Sequence, residues 1–230
     1  MSPTPAGSQS KLAAPAKAGA GRFKRGRSLR NIALTSLFLT SIAWAVEARG
    51  NGLEVAATQP RGTPLVGVAY RDGPPLGFSG GFGEDHCQAC HSSEKLNASP
   101  GTLTISAPER YSPGKVYTVT VTLKRPGMKI GGFVVTSRFE GDSSQAGTLA
   151  IADGQQGRVK VVIDRGVQYA YHSRPGTELT APDVARWTLS WTAPAGKRAI
   201  LFNAAANAAN GDDTQFGDFI YTSRVRSRGR

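Results

Sequence analysis

From residue 101 onward the chain repeats in a period of two, and that period sets the fold. Thr102-Leu103-Thr104-Ile105-Ser106 alternates polar and apolar side chains, and Val116 to Leu123 does so over a longer run of β-branched residues. Successive strand side chains point to opposite faces. Val119, Val121 and Leu123 therefore share a buried face, while Thr118, Thr120 and Thr122 share a wet one. Gly132–Phe139, 147–151, 159–163, Tyr169–Ser173, Trp187–Trp191, Ala199–Phe202 and Phe219–Thr222 read as further strands. Tyr111-Ser112-Pro113-Gly114, Pro126-Gly127, Asp153-Gly154 and Arg174-Pro175-Gly176 turn the chain between them. No long stretch has the 3.6-residue period of an amphipathic helix. Seven to nine short strands with regular turn signals predict an all-β fold, an antiparallel immunoglobulin-like β-sandwich. A span of about 120 residues is enough to enclose one core. Trp187, Leu189 and Trp191 lie on one face and are expected in that core rather than as a sugar platform.

The second constraint is Cys87-Gln88-Ala89-Cys90-His91, which holds both cysteines and one of the three histidines. C-x-x-C-H reads as a site for covalent haem c. Two thiols at this spacing can bond the two vinyl groups of one porphyrin, and His91 can turn under the ring as the proximal iron ligand. A disulfide, a redox-active dithiol and half of a zinc site are the other readings of the same residues. Zinc wants a second pair of ligands, and a thioredoxin-like dithiol wants a βαβ context; neither is visible. For the sixth ligand His172 comes first, at the end of Tyr169-Ala170-Tyr171, whose tyrosines could line the porphyrin edge. Met128, on the Pro126-Gly127 turn, comes second. His86, directly before Cys87, comes third. Two axial histidines would close the iron to small ligands and make electron transfer the function. There is no G-x-S-x-G and no helix-borne His pair, so no enzyme is expected. Asp212, Asp213 and Asp218 could hold calcium, although Asn210-Gly211-Asp212 is first of all a turn.

The net charge of +12 needs dissection. Residues 1–48 carry seven Lys or Arg and one acid, and the remainder has 21 basic and 15 acidic residues. Arg224, Arg226, Arg228 and Arg230 supply four of those cations in what reads as an exposed basic tail, 225–230 and its approach. The body is nearly balanced and lacks a basic face with stacking aromatics, so nucleic acid is not an expected partner. Residues 1–30 are a Lys/Arg/Ser/Pro-rich stretch without apolar periodicity. Ile32 to Val46 is an apolar run of about 15 residues, short of the ~20 that span a bilayer. Residues 1–48 therefore read as a signal segment, cleaved near Ala45 or Ala48, with an uncleaved anchor as the competing reading. Residues 49–80 are a Gly/Pro-rich leader, and 81–224 the motif loop plus the sandwich. Periplasmic or secreted location follows, and suits covalent haem.

The series Gly83-Glu84-x-x-Cys87-x-x-Cys90-His91, Tyr111-x-Pro113-Gly114, Gly132-Phe133, His172, Trp191-x-x-Pro194, Asn207-x-x-Asn210-Gly211-Asp212 and Gly217-Asp218-x-Ile220-Tyr221 resembles the Reeler-like secreted bacterial domain called choice-of-anchor V. The resemblance covers about residues 78–224. It implies an exported Reeler-type β-sandwich, often with C-x-x-C-H before the first strand. Many members carry a C-terminal anchor, which Ser227-Arg228-Gly229-Arg230 does not resemble. The expectation is a monohaem c-type cytochrome-like protein that exchanges electrons with an extracytoplasmic redox protein. Its basic tail could lie on a membrane surface or an acidic partner. The rival is a non-redox binding or adhesion module with Cys87–Cys90 as a disulfide.

Overall fold

The computed structural model describes residues 70–230. The signal segment, and the leader as far as residue 69, lie outside the described residues. Ten strands follow in order: β1 Thr102–Ser106, β2 Arg110–Tyr111, β3 Val116–Lys124, β4 Ile130–Phe139, β5 Thr148–Ile151, β6 Val159–Asp164, β7 Val167–His172, β8 Val184–Thr192, β9 Ile200–Ala209 and β10 Phe219–Gly229. They build two sheets. One has the order β1-β3-β8-β5, the other β2-β10-β9-β4-β7-β6. Every pairing is antiparallel except that of β10 with the short edge strand β2. The all-β, two-sheet sandwich is the architecture that the alternation predicts.

The core lies between the sheets and follows the period of two. Val119, Val121 and Leu123 of β3 are fully buried, as are Trp187, Leu189 and Trp191 of β8. Opposite them stand Phe133 of β4 and Phe202 of β9. Phe133 stacks on Trp187 with ring centroids 4.4 Å apart, and Trp191 meets Phe202 edge-on at 5.0 Å. The two indoles also need partners for their N–H groups. Trp187 Nε1 donates to the Gly176 carbonyl at 2.8 Å, and Trp191 Nε1 to the Ala146 carbonyl at 3.0 Å.

Two strands run further than their sequence signals. β9 continues through Ala204-Ala205-Ala206-Asn207-Ala208-Ala209, where alanine gives little strand propensity. Tertiary context decides it: β9 is paired along its length with β10 on one side and β4 on the other. Small side chains suit a strand covered on both faces. Ala204, Ala206 and Ala208 join the main core, while Ala205 belongs to a second cluster on the outer face. β10 runs on to Gly229, holding register with β9 from Phe219↔Ala208 to Ser227↔Ile200. Arg224, Arg226 and Arg228 are thus strand residues and not a loose tail.

Trp187→Ala should lower the unfolding free energy by about 3–5 kcal/mol, measured by urea denaturation, because it opens the centre of the core. Val116→Thr, at an exposed position of β3, should change it by about 0.5 kcal/mol or less.

Candidate functional site

The segment from Phe78 to His91 lies flat on the outer face of the six-stranded sheet. Gly81 makes that approach possible. A Cβ there would sit 2.3 Å from Asn203 Cγ on β9, so any side chain would lift the loop off the sheet. Gly81 thus brings the loop onto β9. Glu84 then fastens it. Its Oε1 accepts from the Tyr169 hydroxyl at 2.5 Å and from the Arg138 guanidinium, and its Oε2 accepts from Ser79 Oγ at 2.6 Å. The side chains of Arg138 and Glu84 are only 7% and 9% exposed. Burial alone would raise the Glu84 pKa, but hydrogen bonds from Ser79, Tyr169 and Arg138 outweigh it and hold the carboxyl below its ordinary 4.5.

The motif itself forms a short 3-10 turn, Cys87–Ala89. His86 caps it: its Nδ1 accepts from the Gln88 N–H at 3.3 Å. The Cys90 and His91 N–H groups both return to the Cys87 carbonyl, at 3.2 and 3.0 Å. Gln88 reaches ahead to the Glu94 carbonyl at 2.8 Å. Cys87 and Cys90 are free thiols and not a disulfide. Cys87 is partly exposed as a residue, but it packs against the outer-face cluster of Val134, Tyr169 and Ala205. Burial pushes its thiol up to about 12, and burial raises that of Cys90 as well. Both are protonated at neutral pH, so neither is an activated nucleophile.

Beside this turn opens a cleft of about 620 Å³, between the 70–92 segment, the start of β4, the end of β9 and the 210–218 loop. Cys87, Cys90, His91 and His172 all line it. Pro74, Pro75, Phe78, Ile130, Phe133 and Phe216 make its wall mainly apolar. Its polar corner is a chain of three side chains. Asp218, 2% exposed, takes His91 Nδ1 at 2.8 Å and Asn207 Nδ2 at 3.0 Å on one oxygen. Its other oxygen accepts the Asn210 N–H at 3.1 Å. The carboxylate takes up Nδ1 of His91, so Nε2 is the ring nitrogen left for other partners. Asn207 Oδ1 is buried and has no hydrogen-bond partner.

The predicted sixth ligands are committed to other contacts. His172 lines the cleft, but both ring nitrogens are engaged. Nδ1 accepts from the Phe133 N–H at 3.0 Å, and Nε2 lies 3.2 Å from the Tyr70 carbonyl, to which it donates. Burial lowers its pKa and keeps it neutral. It ties β7 to β4 and to the leader, and Gly132 leaves room for the ring: a Cβ there would be 2.9 Å from its Cε1. Met128 is 4% exposed and belongs to the main core, away from the cleft. Tyr169 is fully buried on Glu84, and Tyr171 packs over Gly73. Among the described residues no group of three or more His, Cys, Asp and Glu is placed to hold a metal ion. The haem c expectation is corrected accordingly. Its second ligand is committed elsewhere, and Cys87 packs into an apolar cluster. With His/His ligation gone, the case for electron transfer and for a redox-protein partner goes too. The calcium candidates are likewise engaged: Asp212 caps Thr214, Asp213 pairs with Arg71, and Asp218 holds His91.

Sequence reasoning missed the roles of Glu84, Arg138, Asn207 and Asp218. Arg138 did carry a signal, since a cation inside the apolar run Phe133–Phe139 requires a buried partner. Asn207 carried none, because its environment depends on the length of β9.

No family model and no curated protein matches the chain. Among solved structures it is similar to a non-cellulosomal cohesin from the archaeon Archaeoglobus fulgidus, at 9% identity over 56% of this chain and 91% of that one, with TM-score 0.34. It is also similar to a cohesin module from a Clostridium perfringens family 33 glycoside hydrolase, at 10% identity over 56% and 98%, with TM-score 0.39.

Glu84→Ala should destabilise the protein by about 3–5 kcal/mol, because it strands the buried Arg138 guanidinium. The sign of the pH dependence follows from the depressed Glu84 pKa. Its contribution is complete above 4.5 and is lost as pH falls through the lower folded value. Urea midpoints measured from pH 6 downward should fall more steeply for the wild type than for Glu84→Gln.

Proposed function

We propose that the chain is a non-redox, non-enzymatic binding module of the extracytoplasmic space. It is built on a Reeler-like β-sandwich and takes its ligand in the cleft beside the Cys87–His91 turn. The observation that carries this reading is the combination of a mainly apolar cleft of about 620 Å³ with a buried, unpartnered Asn207 Oδ1 in its wall. Clefts of roughly 300–1,000 Å³ with a few placed polar groups are the usual size for small ligands. The unpartnered polar atom in the corner, Asn207 Oδ1, is an acceptor. The fitting ligand is therefore largely apolar and presents an N–H or O–H at one end. Burying Asn207 Oδ1 without a partner costs free energy, so a donor placed there is favoured twice, by its own bond and by relief of that cost. The signal-like segment 1–48 and the resemblance to secreted Reeler-like domains support the location.

Calorimetry of phenols, secondary amides and alcohols against the exported protein tests the site. A donor-bearing ligand should bind, and Asn207→Leu should weaken it by about tenfold, the equivalent of one hydrogen bond. Equal binding by wild type and Asn207→Leu would remove Asn207 from the site. A sharp visible α-band and covalent haem stain, in protein exported from a host that matures c-type cytochromes, would overturn the non-redox reading.

A further inference from the structure

At the other end of β10 the outer face of the six-stranded sheet carries a row of guanidiniums. Arg224, Arg226 and Arg228 alternate along the strand, so they project from one face. Arg110 of β2 stands beside Arg228 in the parallel register and extends the row sideways. All four are exposed. Among the described residues only Arg226 has a carboxylate partner, Glu140. A small cleft of about 170 Å³ opens between Arg110, Arg226, Arg228 and Glu109. Strand pairing fixes the row, since each of the three β10 arginines is hydrogen-bonded in register.

We propose that this row is a docking surface for an acidic polysaccharide, with the cleft seating one carboxylate or sulfate group. Like charges held side by side on a rigid strand repel one another, and an anionic chain laid across them relieves that repulsion. Spacing along a strand places alternate guanidiniums about 6.8 Å apart, so consecutive groups on one extended polymer can be met in turn. Arginine forks grip planar carboxylate and sulfate oxygens in pairs. The chemistry of the patch discriminates among polyanions. Among the described residues, the exposed large apolar ones are Val116, Ile151, Ile163 and Phe216. None belongs to the row, so it offers no ring on which a nucleic-acid base could stack and no wedge to enter a bilayer. The row lies about 25 Å along β10 from Asp218, so it is independent of the ligand cleft.

The test is binding of the exported protein to heparin fragments and to polygalacturonate oligomers, with single-stranded DNA and phosphatidylglycerol vesicles as comparison probes. Binding to one of the polysaccharides is expected, and it should weaken steeply between 50 and 300 mM salt. The triple variant R224Q/R226Q/R228Q should lose at least tenfold in affinity and flatten that salt dependence. R224K/R226K/R228K should retain part of the affinity. Unchanged thermal unfolding of both variants shows that the sheet is intact. The proposal fails if the Gln variant binds as the wild type does, if neither polysaccharide binds, or if DNA or vesicles bind more tightly than both polysaccharides.

Discussion

The buried contact between Glu84 and Arg138 holds the rest of the site in place. A loop rich in glycine has little apolar surface with which to hold itself on a sheet. Here it is held by charge. Arg138 projects from near the end of β4 toward the outer face, where its side chain is only 7% exposed. Glu84 supplies the countercharge, and Tyr169 and Ser79 complete its hydrogen bonds. An ion pair so buried is stabilising only with such additional partners. Once Glu84 is fixed, the 3-10 turn that follows has one place to go. Cys87 meets the outer-face cluster and His91 meets Asp218.

The shape of β9 makes this possible. A central strand of an antiparallel sandwich ordinarily buries one face and wets the other. β9 buries both, one under the second sheet and one under the loop. Alanine at 204–206 and at 208–209 keeps it thin, and Asn203 and Asn207 face the loop. Asn203 lies under Gly81, and Asn207 lies between His91 and Asp218. The cleft is what remains where the loop ends and β9 continues.

The sandwich was legible because its signal is local. Alternation in 102–106, 116–123 and 187–191 states which face is buried without knowledge of any partner. The site was legible only in part. Cys87, Cys90, His91 and His172 were singled out by residue type, and they do share one cleft. Their roles were not readable, because role depends on what each atom touches. His172 has the residue type of a ligand and the contacts of a strut, with Phe133 on one nitrogen and Tyr70 on the other. Met128 looked available on its turn, but the turn folds it into the core. Ala204–Ala209 was underread because propensity says little about a strand that is fixed by pairing on both edges.

Native-state hydrogen exchange across residues 80–91 tests the central claim, that the motif loop is an integral layer of the sandwich. The amides of Gly80, Glu84, Ala89, Cys90 and His91 are all hydrogen-bonded within the loop. If Glu84 and Arg138 lock that loop to the sheet, these amides exchange only by the opening that also exposes β9, and they share its dependence on denaturant. Exchange orders of magnitude faster than that of β9, without dependence on denaturant, would show a loop that opens independently of the sheet and would contradict this account.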